Sequence, residues 1–181
     1  MNKKEHVEQL IGFEYKGIPV SQQKASIPLI VNIVTEFNIK NIIELGTLYG
    51  GSSVILKDSC PDINLYTFDK KDLRHNIVKK RKDIIFYKED ILKKDQPSPN
   101  VIKLLEYPEP AILFCDNGNK KEEVRTYTKY LKHRDIIGMH DWGTEIFLED
   151  ISDIIDRYQL HPIHKNIFKT NGFLVRFFQK K

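Results

Sequence analysis

The chain has 181 residues, of which 40% are hydrophobic and 30% charged, and its formal net charge is +4. That balance fits one ordinary globular domain and excludes a disordered, collagen-like or disulfide-stapled chain. No apolar stretch is long enough to span a bilayer and the opening MNKKEHVEQL is no signal peptide, so a cytoplasmic protein without a membrane partner is expected.

Residues 1–181 read as one domain whose first forty residues form a helical cap. Within that cap Ser26 is placed to cap a helix, with Pro28 in its first turn. Leu29, Ile30, Ile33, Val34 and Phe37 then make one apolar stripe. Apolar runs follow at Ile42–Leu45, Leu65–Asp69, Ile84–Tyr87, Ala111–Asp116 and Ile136–His140, each trailed by a helical or loop-plus-helical stretch. Strands alternating with helices predict βαβ units and a mostly parallel sheet, so the fold class is α/β. KKDLRHNIVKKRKD, residues 70–83, reads as a solvated helix face. KKDQPSPNVIK predicts a loop with two prolines and then a short helix.

Lys120–Leu131 reads as a polar helix, and Ile146, Phe147, Ile151, Ile154, Ile155 and Tyr158 mark the last one. The end of the chain differs. Strands over Pro162–Phe168 and Phe173–Phe178 are joined by Lys169-Thr170-Asn171-Gly172, and Asn-Gly is a strong hairpin signal. Cys60 and Cys115 form no CxxC pair and have no zinc spacing; Cys115 reads as a small buried hydrophobe.

The chemistry starts at NIIELGTLYGGSSVI, residues 41–55. A strand ends on an acid, and a glycine-rich turn opens a helix. In open α/β sheets ligands bind beyond the carboxyl ends of the strands. A dinucleotide site is the first rival, but Leu48 stands where its second glycine belongs. Gly50 and Gly51 fall at the wrong offsets, and Glu44 would repel a pyrophosphate. Glu44 would instead suit an ammonium group, directly or through water. Asp69 closes the next strand in LYTFDKKD and can accept both hydroxyls of a ribose. Asp90, in FYKEDIL, could accept from an adenine amino group, with Glu89 beside it as an alternative. Amino acid, ribose and adenine together describe S-adenosylmethionine.

IIELGTLYGGSS resembles motif I of the class I S-adenosylmethionine-dependent methyltransferases, in the version of the catechol O-methyltransferase-like and cephalosporin-hydroxylase-like (CmcI-type) proteins. With Asp69, Asp90, FCDNGNK and GMHDW in order, the resemblance spans roughly residues 16–178. It implies a Rossmann-like sandwich: a seven-stranded sheet of order 3-2-1-4-5-7-6, helices on both faces, and a terminal antiparallel hairpin. It also implies cofactor contacts from Glu44, Gly46, Thr47, Tyr49, Gly50, Ser52, Asp69, Lys70, Asp90 and Asp116.

At the other side of the expected site, Asp116 leaves the fourth strand, and His140, Asp141 and Trp142 leave the fifth. Adjacent strands would bring Asp116 and Asp141 to one rim, where two carboxylates and waters suit Mg²⁺. The resemblance implies the same use, with the metal lowering the pKa of a substrate hydroxyl. Two departures stand out. Catechol-type enzymes carry lysine three residues after the metal acid, whereas here Asn119 holds that place and Lys120 follows. They also carry Asp-Asn after the fifth strand, where this chain has His140-Asp141-Trp142. Lys120 and His140 therefore compete as catalytic base beside Asp116. His140 is alternatively a third metal ligand, since imidazole binds several transition metals. Trp142 reads as a wall of the substrate pocket, with core packing as its alternative; His161 and His164 read as structural.

The expected function is methyl transfer to a hydroxyl of a small molecule or saccharide, with Mg²⁺ as the candidate metal. A nucleic-acid methyltransferase is disfavoured. Asp116-Asn117-Gly118-Asn119 lacks the Asp/Asn-Pro-Pro-Tyr/Phe of amino-methylating DNA enzymes, though the basic cluster keeps the idea open. A cofactor-binding domain without independent catalysis is the third reading. A homodimer through the N-terminal helices is a further expectation.

Overall fold

The computed structural model describes residues 12–93, 96–166 and 174–181. It begins with a two-stranded antiparallel hairpin, β1 (Phe13–Tyr15) and β2 (Ile18–Val20). Both turn residues, Lys16 and Gly17, have positive φ (52° and 74°), the twist that a two-residue hairpin turn needs. Helix α1 (Ser26–Glu36) follows. Over residues 12–40 the expected helical cap is therefore a strand hairpin followed by a helix, a correction to the sequence expectation for Phe13–Val20. The reason is that FEYKGIPV is too short and too alternating to make helical turns. Ser26 is also not the capping residue. It is the first residue of the helix, after Ala25, and its hydroxyl donates to Gln23 Oε1 at 3.2 Å.

The main sheet holds β3 (Asn41–Leu45), β4 (Asn64–Asp69), β5 (Ile84–Lys88), β6 (Ala111–Cys115), β7 (Ile136–Met139), β8 (Leu160–Pro162) and β9 (Arg176–Lys180). Its spatial order is β5-β4-β3-β6-β7-β9-β8. Numbered within this sheet alone, that is 3-2-1-4-5-7-6, as expected. The first five strands are mutually parallel, while β9 runs antiparallel to both β7 and β8. Between them lie α2 (Gly51–Ser59), α3 (Asn76–Lys79), α4 (Pro99–Leu105), α5 (Lys120–Tyr127) and α6 (Leu148–Arg157).

Strands β3, β6 and β7 are buried along their whole length. Helices cover both faces, so these strands need no polar side and read as continuous apolar runs. Alternate residues serve alternate faces. Ile43, Leu45, Leu113, Ile137 and Met139 pack with α4, α5 and α6 residues such as Leu104, Tyr127 and Ile151. Ile42, Ile112, Phe114 and Ile136 pack with α1 and α2 residues such as Ile30, Ile33, Val54 and Leu56. At about 1.5–3 kcal/mol for each large apolar side chain buried, these two layers are the main force that holds the sheet.

Several boundaries move. The fourth and fifth strands stop at Cys115 and Met139, so Asp116 and His140 begin the loops. The predicted Lys120–Leu131 helix ends at Tyr127 and tightens into a 3₁₀ turn over Thr128–Tyr130, where Thr128 Oγ1 bonds back to Val124 O at 2.6 Å. Strand β9 extends past its apolar residues into Gln179 and Lys180, because its register on β7 pairs backbone groups whatever the side chains. The Lys169–Gly172 turn lies outside the described residues. Cys60 and Cys115 are buried free thiols. Among the described residues no helix is long and apolar enough to cross a membrane.

Candidate functional site

From β3 the chain winds one way through β4 to β5, and the other way lie β6 and β7. The parallel order thus reverses between β3 and β6, and a crevice opens beyond their carboxyl ends. A cavity of about 550 Å³ occupies that place. The ladders continue a step past the strands to shape it: Gly46 N donates to Phe68 O (2.9 Å), Asp116 N to Leu45 O (2.9 Å) and His140 N to Cys115 O (3.1 Å). Gly46, Thr47, Tyr49, Gly50, Ser52 and Asp69 line one side of the cavity; Asp116, Lys120, His140 and Asp141 line the other.

The turn after β3 is built by close approach of chain to chain. A Cβ on Gly46 (φ 108°) would lie 2.5 Å from Asp116 O, and one on Gly51 would lie 2.3 Å from Pro19 O. These glycines make room for protein backbone, not only for a ligand. Leu48, at the place of the missing middle glycine, nonetheless has φ 47°. Its amide donates to Asp69 Oδ2 at 3.0 Å, and Asp69 Oδ1 accepts from Lys71 N at 3.0 Å, so the Asp69 carboxylate is held at the cavity edge. A left-handed non-glycine residue costs about 1–2 kcal/mol, while glycine loses about 0.5–1 kcal/mol more backbone entropy on folding. Leu48→Gly is therefore expected to stabilise by up to about 1 kcal/mol, a rise of roughly 2–4 °C in Tm by thermal melt; a fall in Tm would show that no strain is relieved.

Glu44 does not line this cavity. It is 0% exposed. Its carboxylate accepts from Ser52 Oγ (3.0 Å), Thr67 Oγ1 (2.7 Å) and Ser53 Oγ. Burial pushes its pKa up to about 7, against the lowering effect of those hydroxyls and with a smaller raising contribution from Asp116. Glu44 thus fastens the start of α2 to β4 from beneath and reaches the cavity only through Ser52. Two further expected contacts are not brought there. Lys70 is exposed and does not line the cavity. Asp90 lies in a separate depression of about 560 Å³ beside Glu89, Lys93 and Pro97, because β5 is the outer strand and its loop turns toward α4.

The opposite wall is a charged cluster. His140 Nδ1 stands 2.8 Å from Asp116 Oδ1 and 3.4 Å from Asp141 Oδ2. Lys120 Nζ is 2.8 Å from Asp141 Oδ2 and 2.8 Å from Glu145 Oε2, and it donates to Asn117 O at 3.1 Å. Asp141 takes φ 55°, a left-handed conformation that aspartate tolerates better than most residues. Burial disfavours charge on His140, but Asp116 and Asp141 outweigh it and raise the imidazole to about 9. Burial also opposes charge on Asp141, which His140 and Lys120 nevertheless hold at about 2. Asp116 goes the other way, with burial raising it more than His140 and Lys120 lower it. Burial opposes the Lys120 charge too, yet Asp141 and Glu145 keep the ammonium above its ordinary range. Lys120 is thus a fixed cation, poorly suited to accept a proton near neutrality.

Sequence reasoning missed Gln22 and Glu145. Gln22 Nε2 donates to Asp116 Oδ2 across a separation of 94 residues, which no local pattern signals. Glu145 follows HDW within one turn, and its acid spacing was the available clue. Trp142 is not a cavity wall: it packs on the core 6.0 Å from the Phe178 ring, with the Arg176 guanidinium 5.9 Å from its own. In the basic cluster, Arg74 pairs with Asp72 (2.9 Å) and lies over Phe86, and Arg81 pairs with Asp58 (2.8 Å) and Asp83 (2.6 Å). Those cations are engaged within the protein.

No protein-family model matches the chain, and no curated protein matches it by sequence. Solved structures match it by fold. A candidate caffeoyl-CoA O-methyltransferase from Staphylococcus aureus aligns at TM-score 0.64 and 15% identity, over 91% of this chain and 86% of that one. The apo structure of CmcI aligns at TM-score 0.71 and 16% identity, over 93% and 76%. A CmcI structure described as Mg-SAM aligns at TM-score 0.69 and 12% identity, over 93% and 76%. The chain has the Rossmann-like fold of these class I methyltransferase structures.

Proposed function

We propose that this chain is an S-adenosylmethionine-dependent methyltransferase acting on a hydroxyl of a small molecule or saccharide, with a divalent cation at its acidic wall. The observation that carries the reading is one cavity at the strand-order reversal, with the motif I turn and Asp69 on one side and Asp116, His140 and Asp141 on the other. The fold neighbours add support, since one is described as a candidate O-methyltransferase and one as Mg-SAM.

The residues suit the two groups. Ser52 and the backbone around Gly46–Gly50 would take the amino-acid end of the cofactor, and Asp69 its ribose hydroxyls. The ligand atoms of Asp116, His140 and Asp141 lie within 4.8 Å of one another, and the buried Gln22 Oε1 beside them has no partner among the described residues. A cation bound there lowers the pKa of an acceptor hydroxyl and orients it. S-adenosylmethionine, when bound, would supply an electrophilic methyl group, and the residues of the two walls would orient the acceptor oxygen toward it. Lys120 holds Asp141 and Glu145 in place and is a positioning residue. The protein's contribution is orientation and exclusion of water, because the sulfonium already carries the driving force.

Calorimetric titration with S-adenosylhomocysteine, with and without added divalent cation, tests this. Micromolar binding is expected. Asp69→Ala is expected to weaken it by about 10- to 100-fold, the worth of a charge-assisted hydrogen-bond pair. Absence of binding under both conditions would end the assignment, and unchanged affinity in Asp69→Ala would remove the ribose role.

A further inference from the structure

The donor set of the acidic wall bears on which cation it takes. Asp116 and Asp141 offer oxygen, but His140 stands between them and offers nitrogen. Its Nδ1 is 2.8 Å from Asp116 Oδ1 and 3.4 Å from Asp141 Oδ2. Ligand atoms about 2.1 Å from a common ion stand about 3.0 Å apart in an octahedron and about 3.4 Å apart in a tetrahedron. The imidazole nitrogen is therefore within about 0.2 Å of octahedral ligand spacing from Asp116 Oδ1 and about 0.4 Å beyond it from Asp141 Oδ2. The charge agrees. Among the described residues Asp116, Asp141 and Glu145 face one ammonium, that of Lys120, so with a neutral imidazole these groups carry two uncompensated negative charges. A second observation comes from a neutral side chain, Gln22. Gln22 is 2% exposed, commits its Nε2 to Asp116 Oδ2, and leaves Oε1 buried with no donor among the described residues. A water carried by an ion on Asp116 would supply that donor.

Magnesium is a hard ion that prefers oxygen and retains its waters, whereas imidazole nitrogen suits the later first-row dications. We propose that the Asp116–His140–Asp141 centre selects a first-row transition dication over Mg²⁺, and that His140 Nδ1 is the ligand that sets the preference. The use of such an ion rests on the methyl-transfer reading above; its binding does not.

The test uses the full chain stripped of metal, titrated calorimetrically with CoCl₂ and separately with MgCl₂, and the visible spectrum of the Co²⁺ form. Co²⁺ is expected to bind one equivalent at least about 100-fold more tightly than Mg²⁺. His140→Asn is expected to weaken Co²⁺ by at least about 30-fold, change its spectrum, and leave Mg²⁺ within about threefold. Asp116→Asn should weaken both ions, which separates loss of a ligand from loss of fold when the metal-free melting temperatures agree. Equal or tighter Mg²⁺ binding, no binding of either ion, or a Co²⁺ preference that survives in His140→Asn would each overturn the proposal. The last would place Co²⁺ on another of the six histidines. S-adenosylhomocysteine is titrated in parallel into the metal-free protein. Cofactor binding with a Mg²⁺-preferring wall sinks this inference alone, whereas a nitrogen-ligated Co²⁺ site without cofactor binding sinks the methyl-transfer reading alone.

Discussion

Asp116→Asn is expected to lower methyl transfer to an acceptor hydroxyl by about a thousandfold while the chain stays folded. Asp116 is where the two halves of the site meet. One oxygen faces His140 Nδ1 at 2.8 Å and the other accepts from Gln22 Nε2, at the end of a buried strand. Asparagine keeps the shape and one acceptor oxygen, so Tm should move by only a few degrees. It removes the charge that would hold a cation and that stabilises the imidazolium. The sign at His140 follows. Two carboxylates hold its pKa at about 9, so losing one lets burial pull it down toward the ordinary histidine value. An NMR titration of the His140 ring should show that fall in the metal-free variant. Activity within tenfold of the parent, with His140 titrating as before, would remove Asp116 from the chemistry.

The largest stability effect is expected at Glu44. Its carboxyl titrates near 7 in the folded protein, from a reference of 4.5, because burial outweighs three hydroxyl donors. A raised folded-state pKa favours the protonated form. Glu44 therefore contributes most below pH 4.5, and that contribution is lost as pH rises from 4.5 through 7. The shift corresponds to about 3 kcal/mol between the two ends. Glu44→Gln keeps an acceptor for the hydroxyls and carries no charge. It is expected to exceed the parent in stability at pH 8 by about 1–3 kcal/mol and to flatten the profile across that window. Glu44→Ala should instead lose about 3 kcal/mol or more, since Ser52, Ser53 and Thr67 would be left around a cavity without an acceptor. Urea denaturation at pH 5 and pH 8 measures all three proteins. A glutamine variant with the parent's pH slope would show that Glu44 is not the titrating group. Because Glu44 lies beneath the cavity, Glu44→Gln should also bind S-adenosylhomocysteine within about tenfold of the parent, the cost of a shifted Ser52.

The contrast between Glu44 and Asp69 shows where sequence reading works and where it stops. Both are acids at the ends of consecutive parallel strands, and both were legible as such from LYTFDKKD and IIELGTLYGG. Only Asp69 lines the cavity. Glu44 is turned inward, where hydroxyls from α2 and β4 occupy its lone pairs. Asp90 marks a third strand end just as clearly, yet β5 is the outer strand and its loop lies over a different depression. The N-terminal hairpin was invisible for another reason. Its strands are three residues each, below the length at which alternation separates a strand from a loop.

Period and punctuation therefore settled the alternation of strands and helices, the glycine turn after β3, and which acids and histidines stand at strand ends. Each depends on near neighbours in the chain, through backbone sterics and the need to bury one face or two. The sheet order was reached through family resemblance and agrees with the fold. Tertiary structure alone decided which lone pairs stay free. Gln22 reaches Asp116, Lys120 reaches Asp141 and Glu145, and Trp142 turns from the cavity to pack near Phe178. Those outcomes follow from contacts between residues far apart in the chain, and no local pattern encodes which of them form.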